Sequence, residues 1–291
     1  MQPDVSLIVP CFNQAHFIPD LFRSIEKASQ RMVEIILIDD GSDNDDVLTE
    51  LQKLEATESA RALIVRKTAN CGLAATRNLG LDLCTGRYVK FLDADDLLVA
   101  GSLDYQISEL ESCTNADIHL VNYCLSSSDL SSFSWPEFST LPKKELTASY
   151  VASSWETELS IPIHCALFRR HAIDEIRFEE DLEAKEDWLF WHALAKKDLV
   201  CVTSRQVGVV YRTHEGSMTR NRGLMARFWL KALGKIMDSG TSLSAEEDRL
   251  VTEHFNHFYL RSVNYGFFEA EVETLLDKAR IHVPLHREDS Q

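Results

Sequence analysis

The sequence predicts an α/β fold: a parallel sheet flanked by helices, followed by a helical C-terminal extension. Three observations carry that expectation. Apolar, β-branched runs alternate with stretches of helical spacing through the first part of the chain. Acidic residues stand directly behind two of those runs, in "LIDDGSDNDD" and "YVKFLDADDLL", and ligands bind at the C-terminal edge of an open α/β sheet. From Met225 onward the pattern turns helical.

"VSLIVP" opens as a strand, and "HFIPDLFRSIEKA" follows as a helix with Phe17, Ile18, Leu21, Phe22 and Ile25 at helical spacing. "VEIILIDD" reads as the second strand, "DVLTELQKLEA" as the second helix and "ALIVRK" as the third strand. "NCGLAATRNLGLDLC" supplies a glycine turn and a helix before the strand that ends in the acids. A helix at "SLDYQISELESC", a strand at "DIHLVNYC" and a polar surface loop at "LSSSDLSSFS" come next. Short helices and strands mix between residues 143 and 215, with "EDWLFWHALAKK" the clearest helix and "QVGVVYR" the clearest strand. "ARFWLKALGKIM" and "EEDRLVTEHFNHFYLRSV" are helical, and "MDSGTSLS" is a candidate hinge between them. The expected division is a main domain over 1–222 and a helical extension over 223–291.

The formal net charge of -16 argues against a nucleic-acid partner, whose phosphates need clustered Lys and Arg. A small anionic ligand would then require local neutralisation, for which a metal is the simplest means. Seven cysteines form no CxxC pair and no even framework, which fits a reducing cytoplasm. Asp4 stands where a signal peptide would carry basic residues, and no run approaches the roughly 18 apolar residues of a membrane span. The expectation is a cytoplasmic protein that does not cross a membrane.

Each motif has a bland reading beside a functional one. Asp39 and Asp40 suit a helix cap and turn, or a carboxylate that accepts a hydrogen bond from a ligand N–H. Asp93, Asp95 and Asp96 repel one another unless solvent or a cation screens them; hard oxygen donors suit Mg2+ or Mn2+, while capping of the helix at "SLDYQ" is the alternative. Glu186 and Asp187 complement a helix macrodipole, or Asp187 faces a cleft as a general base. His214 is a metal ligand or an ordinary hydrogen-bonding histidine. Arg77 meets a phosphate near a helix start or pairs with an acid at the surface. Arg227, Lys231 and Lys235 form a basic stripe that rests on an anionic membrane or is simply solvated.

Taken in order, "VSLIVPCFNQ", "EIILIDDGSDND", "NCGLAATRNLGLDLCTGRYVKFLDADD", "KEDWLFWHAL" and "YRTHEGSMT" resemble the family 2 glycosyltransferases of GT-A fold, over roughly residues 5 to 220. The resemblance implies a mixed, mainly parallel Rossmann-like sheet, a nucleotide-diphosphate sugar donor and inverting transfer to a hydroxyl acceptor. By motif, Asp40 resembles the acid that contacts the base, with Pro10, Phe12 and Asn13 beside it. Asp93, Ala94 and Arg77 fall in the nucleotide-sugar site, Asp95 and His214 resemble metal ligands for Mn2+ or Mg2+, and Asp187 occupies the general-base position.

The implied donor is a UDP-sugar, since Asp40 can accept the N3 proton of uracil. The implied acceptor is a glycan or glycolipid of the cell surface, reached by peripheral association with the inner face of the membrane. The QxxRW motif of processive synthases is absent. Two rivals remain: a sugar-nucleotide nucleotidyltransferase, whose Gly- and Arg-rich triphosphate loop has no counterpart in "PCFNQAHF", and a catalytically silent nucleotide-sugar binding module.

Overall fold

The computed structural model describes residues 2–58, 62–137 and 141–264. Strand β1 (Val5–Cys11), helix α1 (Ile18–Ala28), β2 (Val33–Asp39), α2 (Asp45–Glu58), β3 (Ala62–Arg66), α3 (Leu73–Leu83) and β4 (Tyr88–Phe91) follow in the expected alternation. The chain continues through β5 (Leu97–Leu98), α4 (Ser102–Ser112), β6 (Ile118–Ser127), β7 (Phe133–Ser134) and α5 (Ala148–Ser154). It closes with β8 (Ala166–Arg169), α6 (Arg170–Ile173), α7 (Glu186–Ala195), β9 (Cys201–Thr213), α8 (Arg222–Asp238) and α9 (Ala245–Asn264).

The strands form one mixed sheet in the order β3-β2-β1-β4-β8-β6-β9-β5, with β7 paired to β6. Strands β3, β2, β1 and β4 are mutually parallel, as the βαβ crossovers require. Strand β8 runs antiparallel to both β4 and β6, so its first residue lies beside the C-terminal end of β4. That reversal brings the segment before β8 to the edge where the acids stand.

Successive strand residues point to opposite faces, and the core divides accordingly. Val5, Leu7 and Val9 of β1 pack with α1, α2 and α4 on one face; Ile8 packs with Val89 and Phe91 of β4 on the other. The second face holds the aromatic cluster in which Phe91, Phe168, Phe178 and Phe190 meet, with Phe178 and Phe190 stacked at 4.2 Å between centroids. Helix α8 belongs to that cluster through Phe228, Trp229, Leu233 and Ile236.

Two expectations are corrected. The stretch "LSSSDLSSFS" is not all loop: Leu125, Ser126 and Ser127 continue β6 against β9, and Phe133–Ser134 return as β7. The acids after β4 do not cap α4, whose N-cap is Gly101 in the left-handed region at φ 71°. "MDSGTSLS" forms the connection from α8 to α9, with Gly240 at φ 74°.

Gly86 sets the entry to β4. A Cβ built there would lie 2.5 Å from the backbone nitrogen of Ser6, and Gly86 N–H donates to Ser6 Oγ at 2.7 Å. The neighbour is backbone and cannot swing aside, so Gly86→Ala is expected to cost on the order of 1–3 kcal/mol by overpacking. Urea unfolding of the variant measures it; a change within about 0.3 kcal/mol would mean that β1 and β4 separate freely at this point.

Candidate active site

A cleft of about 760 Å³ opens along the C-terminal edge of β1, β2 and β4 and is closed on the far side by the start of α7. Pro10, Phe12, Asp40, Arg77, Asp93, Asp95 and Asp187 line it; Asn13, Ala94 and His214 do not. Five chain segments far apart in sequence thus meet in one depression.

At one end, Asp40 N–H donates to Cys11 O at 2.8 Å, which holds the ends of β1 and β2 together and sets Phe12 beside Asp40. The two acids of "LIDDGS" divide the roles between them. Asp39 makes the turn, accepting from Ser42 N at 3.2 Å and from its hydroxyl at 2.5 Å. Asp40 holds the glycine loop before α3: Oδ1 accepts from Cys71 N at 3.0 Å and meets Lys67 Nζ at 2.6 Å, while Oδ2 accepts from Gly72 N at 2.8 Å. One acceptor position remains on Oδ2. Asn13, at φ 55°, ties the loop after β1 to the Ser42–Asp43 turn, with its N–H on Ser42 Oγ and its amide on Asp43, both at 2.9 Å.

Arg77 decides between its two sequence readings in favour of acids, but buried ones. It is 2% exposed, with one terminal nitrogen 2.7 Å from Asp93 Oδ1 and the other 2.6 Å from Glu186 Oε1. The guanidinium therefore joins the β4 edge to the first turn of α7. Asp187 follows Glu186 and accepts from Trp188 N at 2.8 Å. The N-cap of α7 is Lys185, in the left-handed region at φ 67°, so Asp187 is not the capping residue. Burial and then Glu186 push the Asp187 carboxyl up to about 7, against the pull of Lys185 and Arg77. Lys185 is itself ion-paired with Glu156, a second non-glycine residue at positive φ (57°) on the cleft wall.

Beyond β4, Asp95 Oδ2 lies 2.8 Å from His214 Nε2, so the two residues expected to bind metal are already in contact. Burial, then the neighbouring carboxylates of Asp96 and Asp93, raise Asp95 to about 7. A carboxylate disfavoured by burial and like charge, beside an imidazole nitrogen, is a donor set that a hard divalent cation suits. Asp93, Asp96 and His164 form a second candidate group, with ligand atoms within 4.8 Å of one another. There, however, Asp93 is held by Arg77, and Asp96 accepts from Arg212 N at 2.9 Å and meets His164 Nδ1 at 2.8 Å. The Asp95–His214 pair has fewer competing partners.

Asp96 is thus spent on bracing, not on capping. Burial acts against the charge on His164, and the adjoining Asp96 carboxylate outweighs it, raising the imidazole to about 10. His164 was not singled out in the sequence; "IPIHC" carries no spacing that marks it, and its partner, Asp96, lies in the distant turn between β4 and β5. The basic stripe fares differently. Lys231 meets Asp181 at 3.3 Å, and Lys235 meets Glu179 and Asp181 at 2.8 and 2.9 Å, so two of its three cations are neutralised by the protein's own acids. No helix among the described residues is long and apolar enough to cross a membrane.

The model of glycosyl transferase family 2 matches residues 6–177, more than half of the chain. The chain belongs to this family. Among curated relatives, the family 2 chain is 29% identical over 225 residues to the uncharacterized glycosyltransferase EpsJ of Bacillus subtilis, covering 75% of this chain and 64% of that one. It is 22% identical over 254 residues to the GalNAc(5)-diNAcBac-PP-undecaprenol beta-1,3-glucosyltransferase of Campylobacter jejuni, covering 84% of this chain and 78% of that one. Its GT-A fold matches S. aureus TarS 1-349 in complex with UDP-GlcNAc, with a TM-score of 0.68 at 17% identity, over 94% of this chain and 79% of that one. The mannosyltransferase PcManGT of Pyrobaculum calidifontis, in complex with GDP-Man and Mn2+, matches with a TM-score of 0.61 at 16% identity, over 96% and 80% of the two chains.

Proposed function

We propose that the protein is an inverting glycosyltransferase that moves a sugar from a nucleoside diphosphate donor, a UDP-sugar, to a hydroxyl of a glycan or glycolipid acceptor in cell-surface glycan synthesis. The observation that carries the reading is the pairing, across one cleft, of the Asp93–Asp95 edge with Asp187, whose carboxyl is poised near neutrality. One side suits a diphosphate and its counter-ion; the other suits removal of a proton.

In this reading the base stacks by Phe12 and donates its N–H to the free position of Asp40 Oδ2. Asp95 and His214 would hold Mn2+ or Mg2+, which when bound neutralises charge on the departing diphosphate. Asp187 takes the proton of the acceptor hydroxyl as that oxygen attacks the anomeric carbon from the face opposite the leaving group. One displacement inverts the configuration, and no covalent intermediate with the protein is needed. The helical extension from residue 223 is proposed to buttress this unit, since Trp229 of α8 packs on Trp188 of α7 at 5.2 Å. The same reading puts this work at the inner face of the membrane, supported by the undecaprenol-linked name of the Campylobacter jejuni relative; Lys231 and Lys235, already paired with acids, are not expected to contribute to it.

Incubation with labelled nucleotide sugars and Mn2+ tests the reading directly, with transfer expected and pyrophosphate chemistry or mere binding as the opposing results. Calorimetric titration extends the test. Affinity for UDP is expected to fall on chelation with EDTA, and Asp95→Ala is expected to lose that metal-dependent part. Affinity unaffected by either change would remove Asp95 from the metal site, and preference for GDP would remove the uridine assignment.

A further inference from the structure

His164, on the floor of the cleft, is fixed on every side and yet presents an unused polar atom. It is 1% exposed, and its Nε2 has no partner among the described residues. Nδ1 is held by Asp96 Oδ2 at 2.8 Å. The ring lies between Tyr123 and Tyr211, with centroids at 5.9 and 5.4 Å. Its carbonyl is gripped by the buried ammonium of Lys90 at 2.6 Å. A buried polar atom without a partner is destabilising, and here it borders a ligand cleft, not sealed core.

The topology says which part of a ligand reaches it. Asp40 follows β2, Asp95 follows β4 two strands along, and His164 precedes β8 on the next strand. At about 4.8 Å per strand, a donor with its base at Asp40 and its diphosphate at Asp95 extends its sugar roughly one strand further, over His164. On the basis of the function proposed above, we infer that His164 Nε2 hydrogen-bonds a hydroxyl of the sugar being transferred, and so selects the donor sugar. Asp96 sets the ring's direction and is a positioning residue. Such a contact discriminates strongly, because a sugar without the hydroxyl leaves the buried nitrogen unpaired.

The two amide substitutions separate the ring nitrogens. Asn reaches the Nδ1 position and keeps the Asp96 contact while deleting Nε2; Gln reaches the Nε2 position. His164→Asn is expected to lower donor kcat/KM by roughly 10- to 100-fold, with the Kd for UDP and its Mn2+ requirement unchanged, and His164→Gln to recover part of the loss. Against a series of monodeoxy donors, one position is expected to cost the wild type heavily and the Asn variant almost nothing.

Thermal melting accompanies both variants, and if His164→Asn melts early the deoxy series is run below its transition, with His164→Gln expected to fall between it and the wild type. A parallel loss of UDP affinity, or a changed Mn2+ requirement, would assign His164 to the diphosphate or the cation and overturn the inference. So would a deoxy series that costs wild type and variants equally. A wild type that transfers no sugar at all would overturn the proposed function itself, and the inference with it.

Discussion

Asp187→Asn is expected to reduce transfer by about 10²–10⁴-fold while leaving the affinity for nucleotide and metal nearly intact. Asn keeps the size and the bond from Trp188 N but cannot take a proton. The pH dependence follows from the raised carboxyl. The base must be ionised, so at saturating Mn2+, which would keep Asp95 ionised, kcat/KM of the wild type is expected to rise with pH through about 7 and level off above it; the variant should lack that limb.

Stability runs the opposite way. The folded protein holds the Asp187 proton more tightly than the unfolded chain, whose ordinary value is 3.8, so the contribution to stability is present at low pH and is lost as pH rises toward 7. Asn carries no such charge. The variant is therefore expected to melt no lower than wild type at pH 8, and to show less difference in melting between pH 5 and pH 8. Near-normal transfer with unchanged melting would take Asp187 out of the mechanism.

That poise was only half legible in the sequence. "KEDWLFWHAL" marked a helix with acids in its first turn, where the macrodipole alone would explain them. What separates the readings is burial beside Glu186 and an N-cap position occupied by Lys185, not by Asp187, and both depend on the packing of α7 against the rest of the fold. Strands β1 to β4 were legible because their apolar runs are bounded by turn residues and alternate with amphipathic helices. β5 and β7 were not, since two residues carry no period. The first half of β9 carries a weak signal for another reason: in "CVTSR" half-buried Cys201 and Val202 adjoin Thr203, Ser204 and Arg205 with no clear alternation, and the segment is a strand because β6 lies beside it. His164 is the clearest loss. Its meaning rests on Asp96 and on the antiparallel course of β8, and no local pattern encodes a partner brought in from a turn 68 residues earlier in the chain.

Arg77→Met is expected to destabilise the fold by about 3 kcal/mol, the lower part of the range for breaking a buried ion pair by removing one partner. The lower figure is chosen because Asp93 is 28% exposed and keeps some hydration, whereas Glu186 is 7% exposed and would be left buried and unpaired. Because Glu186 and Asp187 share the first turn of α7, the loss should not stop at folding. With Arg77 gone, Glu186 no longer has a cation to hold it, and the turn that carries Asp187 loses its tie to the β4 edge. Transfer is therefore expected to fall further than UDP affinity does. Glu186→Gln made together with Arg77→Met removes the orphaned charge, so the double variant should be more stable than the sum of the two single losses predicts. Urea unfolding of the four proteins measures that cycle, with steady-state transfer alongside. A loss below about 1 kcal/mol for Arg77→Met, or strict additivity with Glu186→Gln, would mean that the guanidinium fills space without bridging the two sides of the cleft.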